Sequence, residues 1–196
     1  MLPAIRSSKE LNKTFAQDLP KYFVRQEMDA ILEGVKNNRR DHLFLTMLWQ
    51  TGARVSEMLM VKVRDINVTT QSIELCTLKR KKRPRRVLPV KPETIGMIAT
   101  YVVENKLDLN EPLFAFSRAR AFQIVRAVVL AAGFDEERAH PHTFRHSFAV
   151  NCLLQKQPTP VTVLKEWMGH SNISTTLVYT KIIGRDSREY FDRIEF

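Results

Sequence analysis

Imidazoles and a guanidinium stand upstream of a tyrosine in the last third of this chain. The run His140-Pro141-His142-Thr143-Phe144-Arg145-His146 is followed by Trp167-Met168-Gly169-His170, then by Ser174-Thr175-Thr176-Leu177-Val178-Tyr179. Earlier, Thr51-Gly52-Ala53-Arg54-Val55-Ser56-Glu57 supplies a second guanidinium. Fixed cations around a phenol suit attack on a phosphodiester. The phenol is the nucleophile, and the cations hold the charge that builds on the non-bridging oxygens.

Taken singly, each motif also has a plain structural explanation. His142 and Arg145, three apart at a helix start, share a face, but such a pair also serves as a cap and a surface ion pair. Gly169 ends the helix before it and places His170 on a turn. Arg54 sits at a helix start three residues before Glu57, and an ion pair between them still leaves donors free, because a guanidinium has five. Tyr179 is one of four tyrosines, with Tyr22, Tyr101 and Tyr190, and any one of them could be a half-buried aromatic. The densest charge run, Lys79 to Arg86, carries seven cationic side chains. They repel one another as a solvated turn, and a polyanion relieves that repulsion. A phenol titrates near 10, so it needs cations or a base beside it to attack at neutral pH.

The elements that must position these residues are mostly helices. Helical periodicity begins at Val24, with Met28, Ile31, Leu32 and Val35 on one face. An apolar helix is predicted over His42 to Gln50, stopped by Thr51-Gly52, and another starts near Val55 with Glu57 in its first turn. Ser72 to Leu78 alternates like a strand, and Val87 to Val90 reads as its return, which makes a hairpin with a basic tip. Further helices are predicted from Pro92 to about Asn105, from Arg118 to Ala132, from Thr143 to Leu154 and from Val161 to Met168. Ser117 is an N-cap candidate and Gly133 a stop for the second of these. The fold class expected is mainly α with a small antiparallel β-sheet.

A chain of 196 residues suffices for one domain with small appendages. Its net charge of +10 points to a polyanionic partner, most plausibly nucleic acid. Cys76 and Cys152 sit in apolar runs outside any CxxC pair and read as buried thiols of a reducing compartment. No stretch has signal-peptide or membrane-span character, and the expected location is the cytoplasm. There is no GxxxxGK[ST] phosphate loop, no zinc motif and no carboxylate cluster for magnesium, so no metal or cofactor is expected.

In order, then, the chain offers Thr-Gly-x-Arg-x-x-Glu, a basic hairpin, His-x-x-Arg-His, Gly-His and Thr-Thr-x-x-Tyr. This ordered set resembles the catalytic domain of the tyrosine recombinases, the phage-integrase family, over Val24 to Ile183. The resemblance implies that Arg54 and Arg145 grip a scissile phosphate, that His142 handles the nucleophile's proton, and that His170 supports the phosphate. It makes Tyr179 the nucleophile and Glu57 a buttress. A hairpin lysine protonates the leaving 5′ oxygen: Lys79 by the end of the strand, or Lys81 by counting back from Pro89, with Lys79 preferred. The reaction implied is site-specific recombination of double-stranded DNA through a 3′-phosphotyrosine. The alternatives are a non-catalytic DNA-binding regulator on the same fold and a type IB topoisomerase-like enzyme.

DNA contacts are expected from Lys81, Lys82, Arg83, Arg85 and Arg86 of the hairpin. Arg118, Arg120, Gln123 and Arg126 of the following helix are expected in the major groove. Most members of the family carry an N-terminal clamp domain, and here barely twenty residues precede the first helix. The chain is therefore either a short member or a fragment. Residues 1–19 are expected to form an arm, 20–184 the catalytic domain, and 185–196 a tail whose Tyr190, Phe191 and Ile194 share an apolar face. The resemblance implies exchange of that tail around a tetramer on DNA, with a monomer or weak oligomer when free and room for accessory DNA-bending proteins.

Overall fold

A computed structural model describes residues 20–77 and 84–180. Among the described residues, helices of widely differing length surround a small sheet. They are α1 (Arg25–Glu33), α2 (Arg39–Thr51), α3 (Val55–Met58), α4 (Pro92–Glu104), α5 (Arg118–Ala131), α6 (Pro141–Leu153) and α7 (Val161–Met168), with a last short turn of helix, α8 (Ser174–Leu177). The strands β1 (Ile66–Asn67), β2 (Ser72–Cys76) and β3 (Arg85–Pro89) form one antiparallel sheet in the order β1-β2-β3. Ile73 pairs with Leu88 and Leu75 with Arg86. This is the mainly α architecture with a small antiparallel sheet that the periodicity predicts.

The helix α2 lies at the centre, packed on α6 and on α4. Its Leu43, Phe44, Leu45, Met47 and Leu48 are all buried. Phe44 meets Phe114 and Phe116 edge-on, with ring centroids 5.2 and 5.0 Å apart, a geometry that aligns ring edges with ring faces. A second apolar cluster joins α6 to α7: Phe148, Val150, Leu153, Leu164 and Met168, closed by the Tyr179 ring. Trp49 and Trp167 pack against both clusters, so the two halves of the core are continuous.

The ends of the helices follow local chemistry. Asn38 accepts from the Asp41 amide and starts α2 three residues before the predicted His42, because its side chain satisfies an otherwise orphan N–H. Ser117 accepts from the Arg120 amide and caps α5 as expected. That helix ends at Ala131, and Gly133 follows at φ 81°. Proline at its first position lets α6 begin at Pro141, two residues earlier than expected. The chain enters the core at Phe23, whose amide donates to Ser147 Oγ at 2.7 Å and whose carbonyl accepts from Asn151 Nδ2 at 2.9 Å. Arg138 lies over the rings of Phe23 and Phe134, at 4.7 and 4.8 Å, and pairs with Glu27.

Three expectations are adjusted by the structure. The pair Ile66–Asn67 adds a third strand too short to show a period. The hairpin strands end at Cys76 and begin again at Arg85, and Leu78 lies outside the described residues. Cys76 and Cys152 are partly exposed rather than fully buried; burial still pushes the Cys152 thiol up to about 11. The 1–19 arm, Lys79 to Arg83 and the 185–196 tail lie outside the described residues. Among the described residues no helix is long and apolar enough to cross a membrane, and no three His, Cys, Asp or Glu side chains converge as metal ligands.

Candidate active site

Two glycines set the stage. Gly52 ends α2 in the left-handed region at φ 57°. A Cβ there would stand 2.3 Å from Phe148 Cδ1, so only glycine lets α6 lie this close. That approach brings Arg145, on α6, to the Gly52 carbonyl: Nη1 donates to it at 2.5 Å. Gly169 ends α7 at φ 63° and turns the chain so that His170 comes back over Arg145. Nη2 of Arg145 donates to the Met168 carbonyl at 2.7 Å and lies 2.9 Å from His170 Nε2.

The His170 tautomer follows from these contacts. A guanidinium only donates, so Nε2 accepts. Burial and the charges of Arg145, Arg54 and Arg86 push the ring down to about 4 and keep it neutral. Its proton then sits on Nδ1, which donates to Thr176 Oγ1 at 2.8 Å. Arg145 is 4% exposed. Burial and the Arg54 charge pull it down to about 10, while Glu57 pulls the other way, so it stays cationic at neutral pH. These contacts engage three of its five N–H groups.

Glu57 is fully buried beneath the two arginines. Its Oε2 accepts from the Arg54 amide at 3.0 Å and its Oε1 from Arg54 Nη1 at 2.9 Å, which caps α3 and aims the guanidinium. Burial pushes the Glu57 carboxyl up, but the hydrogen bond and charge of Arg86, with Arg54, outweigh it and hold the group below the usual carboxylate range. Arg86 is the surprise. It donates from Nη2 to Glu57 Oε2 at 2.7 Å, from Nη1 to Thr77 Oγ1 at 2.8 Å and from Nε to the Trp167 carbonyl at 2.8 Å.

The expectation that Arg86 contacts DNA is therefore corrected. It is 8% exposed and ties β2, β3, α3 and the end of α7 together. The strand alternation carried the signal: Arg86 is in phase with the buried Leu88 and Val90, two and four residues on. The other hairpin cation described, Arg85, points out and pairs with Glu74 at 2.5 Å.

Tyr179 is 4% exposed, at the end of the described chain. Its hydroxyl lies 2.8 Å from His146 Nδ1, a contact that the motif pattern does not assign. Burial pushes the phenol above its ordinary value, against the pull of Arg145 and Arg54. His142 is exposed one turn earlier, its ring centroid 6.3 Å from that of His146. The structure thus gathers two hydrogen-bonded sets, Arg54 with Glu57 and Arg86, and Arg145 with His170, whose charges act on one another. It places Tyr179 at His146 and His142 on the rim. Lys79, Lys81, Lys82 and Arg83 lie outside the described residues.

An open cleft of about 730 Å³ reaches Arg54, and Lys21, Arg118, Phe122, His142 and His146 also line it. Of the helix residues expected to read the groove, Arg118 lines this cleft. Arg120 leans on Gln123 at 3.4 Å, and Arg126 pairs with Glu136 at 2.7 Å.

The profile of the phage integrase family matches residues 21–183. The chain belongs to the phage integrase family. Within that family it is similar to a tyrosine recombinase of Pseudothermotoga lettingae, 31% identical over 187 residues, which cover 93% of this chain and 63% of the relative. The chain thus spans less than two thirds of that relative's length. Its fold is that of solved phage integrase family structures. XerH recombinase bound to a palindromic difH substrate superposes with a TM-score of 0.76 at 22% identity, over 90% of this chain and 54% of that one. The catalytic domain of bacteriophage HP1 integrase gives 0.68 at 21% identity, over 90% of this chain and 95% of that one.

Proposed function

We propose that this chain is a site-specific DNA recombinase that cuts and rejoins strands through a 3′-phosphotyrosine at Tyr179. One observation carries the reading: Arg54, held by Glu57, lines an open cleft, Arg145 is held against the His170 imidazole, and the charges of both arginines act on the buried Tyr179 phenol. Such a site presents preorganised positive charge to a phosphorane in a place where solvent need not reorganise. A guanidinium fork matches paired phosphate oxygens. The Tyr179 oxygen bonds to phosphorus, the bond from phosphorus to the 5′ oxygen breaks, and a 5′-hydroxyl strand is released. The phosphotyrosine keeps the bond energy for rejoining, so no nucleotide is consumed.

The proton for the 5′ oxygen comes from the hairpin, from Lys79 or Lys81. Membership of the family and the likeness to a recombinase solved on its DNA support this reading. The substrate proposed is double-stranded DNA in the cytoplasm, and the working unit is a homotetramer on that DNA with room for accessory DNA-bending proteins.

The test is a nicked suicide duplex, which traps the covalent adduct when the short strand diffuses away. Wild type is expected to form a protein–DNA adduct and Tyr179→Phe none. An adduct with Tyr179→Phe would exclude Tyr179. Replacing the leaving 5′ oxygen by sulfur should rescue the variant of whichever lysine is the acid, because a thiolate leaves without a proton. Relaxation of any supercoiled plasmid without a required site would favour the topoisomerase-like alternative.

A further inference from the structure

His146 follows Arg145 on α6. Arg145 is anchored at Gly52, Met168 and His170, so the backbone that carries His146 is fixed with it. The ring reaches Tyr179 with Nδ1 2.8 Å from the hydroxyl. Ring centroids 5.7 Å apart at 50° make this a hydrogen bond rather than a stack. His142, to which the sequence pattern gives the nucleophile's proton, is on the exposed rim.

We propose that His146 Nδ1, rather than His142, accepts the phenolic proton as Tyr179 attacks. The inference rests on the strand-cleavage reading above.

The direction of the hydrogen bond follows from charge. The ring is half-buried, and the groups facing it are His142 and Arg145 on its own helix and the Tyr179 hydroxyl, with Lys21, Arg54, Arg118, Glu137 and His140 lining the cleft beyond. Burial, then His142 and Arg145, push the ring down to about 4, so it is neutral at pH 7 and offers one acceptor nitrogen. The phenol, raised by burial, carries its proton. O–H therefore points at Nδ1, and the ring's own proton sits on Nε2.

In the free protein this base is too weak to ionise the phenol, and the bond only holds the nucleophile. A phosphate seated on Arg145 offsets the share of the ring's depression that comes from the Arg145 charge, while the larger share, from burial, stays. The Tyr179 Oη–phosphorus bond then forms while the proton passes to Nδ1. The bond from phosphorus to the 5′ oxygen breaks, and that oxygen takes its proton from the hairpin lysine. The imidazolium left behind faces the dianionic charge of the phosphorane. Rejoining runs the same transfers backwards.

His146→Asn tests this directly, because an Asn amide oxygen falls near the position of Nδ1 and accepts a hydrogen bond without taking a proton. The substrate is a pool of nicked duplexes with randomised arms, read as adduct per unit time in a single turnover. Wild type is expected to react, with His146→Ala and His146→Asn both slower by roughly 10²–10⁴. Adduct formation by wild type together with an unimpaired His146→Asn overturns the proposal and leaves strand cleavage standing. A wild-type protein that reacts with no duplex in the pool overturns strand cleavage, and the proposal with it. A DNA-free measurement reads the bond alone. Long-range ¹H–¹⁵N correlation on histidine-labelled protein should show His146 with its proton on Nε2, and a proton on Nδ1 would overturn the assignment.

Discussion

Arg145 illustrates how one side chain does two jobs. In the proposed reaction it meets a phosphate, and in the structure it satisfies two buried carbonyls, those of Gly52 and Met168. Arg145→Ala should therefore do more than stop chemistry. Each orphaned buried acceptor costs about 1–3 kcal/mol, so chemical denaturation should show a marked loss of stability alongside a fall of about 10²–10³ or more in adduct formation. An Arg145→Ala protein as stable as wild type would contradict the contacts described. Tyr179→Phe is the opposite case. It loses one hydrogen bond to His146, worth about 0.5–1.5 kcal/mol, and keeps the ring in its cluster. Its melting should change little while its adduct disappears.

The elements of the fold are largely legible in the sequence, and the exceptions are informative. Long periodic helices and the alternation of β2 announce themselves, because one face of each must be apolar. A two-residue strand such as β1 has no period to read, and only its partner Ile73 reveals it. The ordered motifs also name the residues that cluster, since Arg54, Glu57, Arg145 and His170 come from segments with recognisable caps and turns. Arg86 is easily misread because a run of cations looks uniformly solvated, and a side chain's facing depends on where the strand begins. His146 escapes notice because adjacency to Arg145 says nothing about which ring meets Tyr179. That is decided by the turn of α6 and the path beyond Gly169. The consequence for Arg86 is testable. Glu57→Gln leaves the buried Arg86 charge without its counter-charge, which costs about 3–5 kcal/mol, whereas Arg86→Met leaves Glu57 with Arg54 and should cost less. Arg86→Met, in which Glu57 keeps Arg54, should stay folded and leave the slope of log DNA affinity against log salt unchanged. Neutralising Lys81, Lys82 and Arg83 should flatten that slope by about 0.9 for each phosphate no longer neutralised. A shallower slope in Arg86→Met would restore it to the DNA-facing set.

Across the whole molecule, one buried ring and one half-buried ring make stability depend on mildly acid pH. His146 and His170 are both held near 4 in the folded protein, against 6.5 in an unfolded chain. Between those values the unfolded chain takes up protons that the folded one refuses. Stability should be full above pH 6.5 and fall as pH drops towards 4, by an order of 1–3 kcal/mol per ring. Glu57, held below its ordinary 4.5, adds its own loss only as pH falls below that value. A melting temperature that stays flat from pH 7 to 4.5 would contradict the burial of both rings. The bonds that build the site also carry a message about time. Arg145 reaches 93 residues back to Gly52, and Arg86 reaches 81 forward to Trp167. Contacts this far apart along the chain close late, after local helices have formed. On a ribosome, the cation cluster is incomplete until the segment bearing Met168 and His170 has been made and docked. If the chain acts on DNA as proposed, a nascent or half-refolded chain would present its basic surface to DNA before it had the means to break it. In a refolding experiment, DNA binding should return before the capacity to form the adduct.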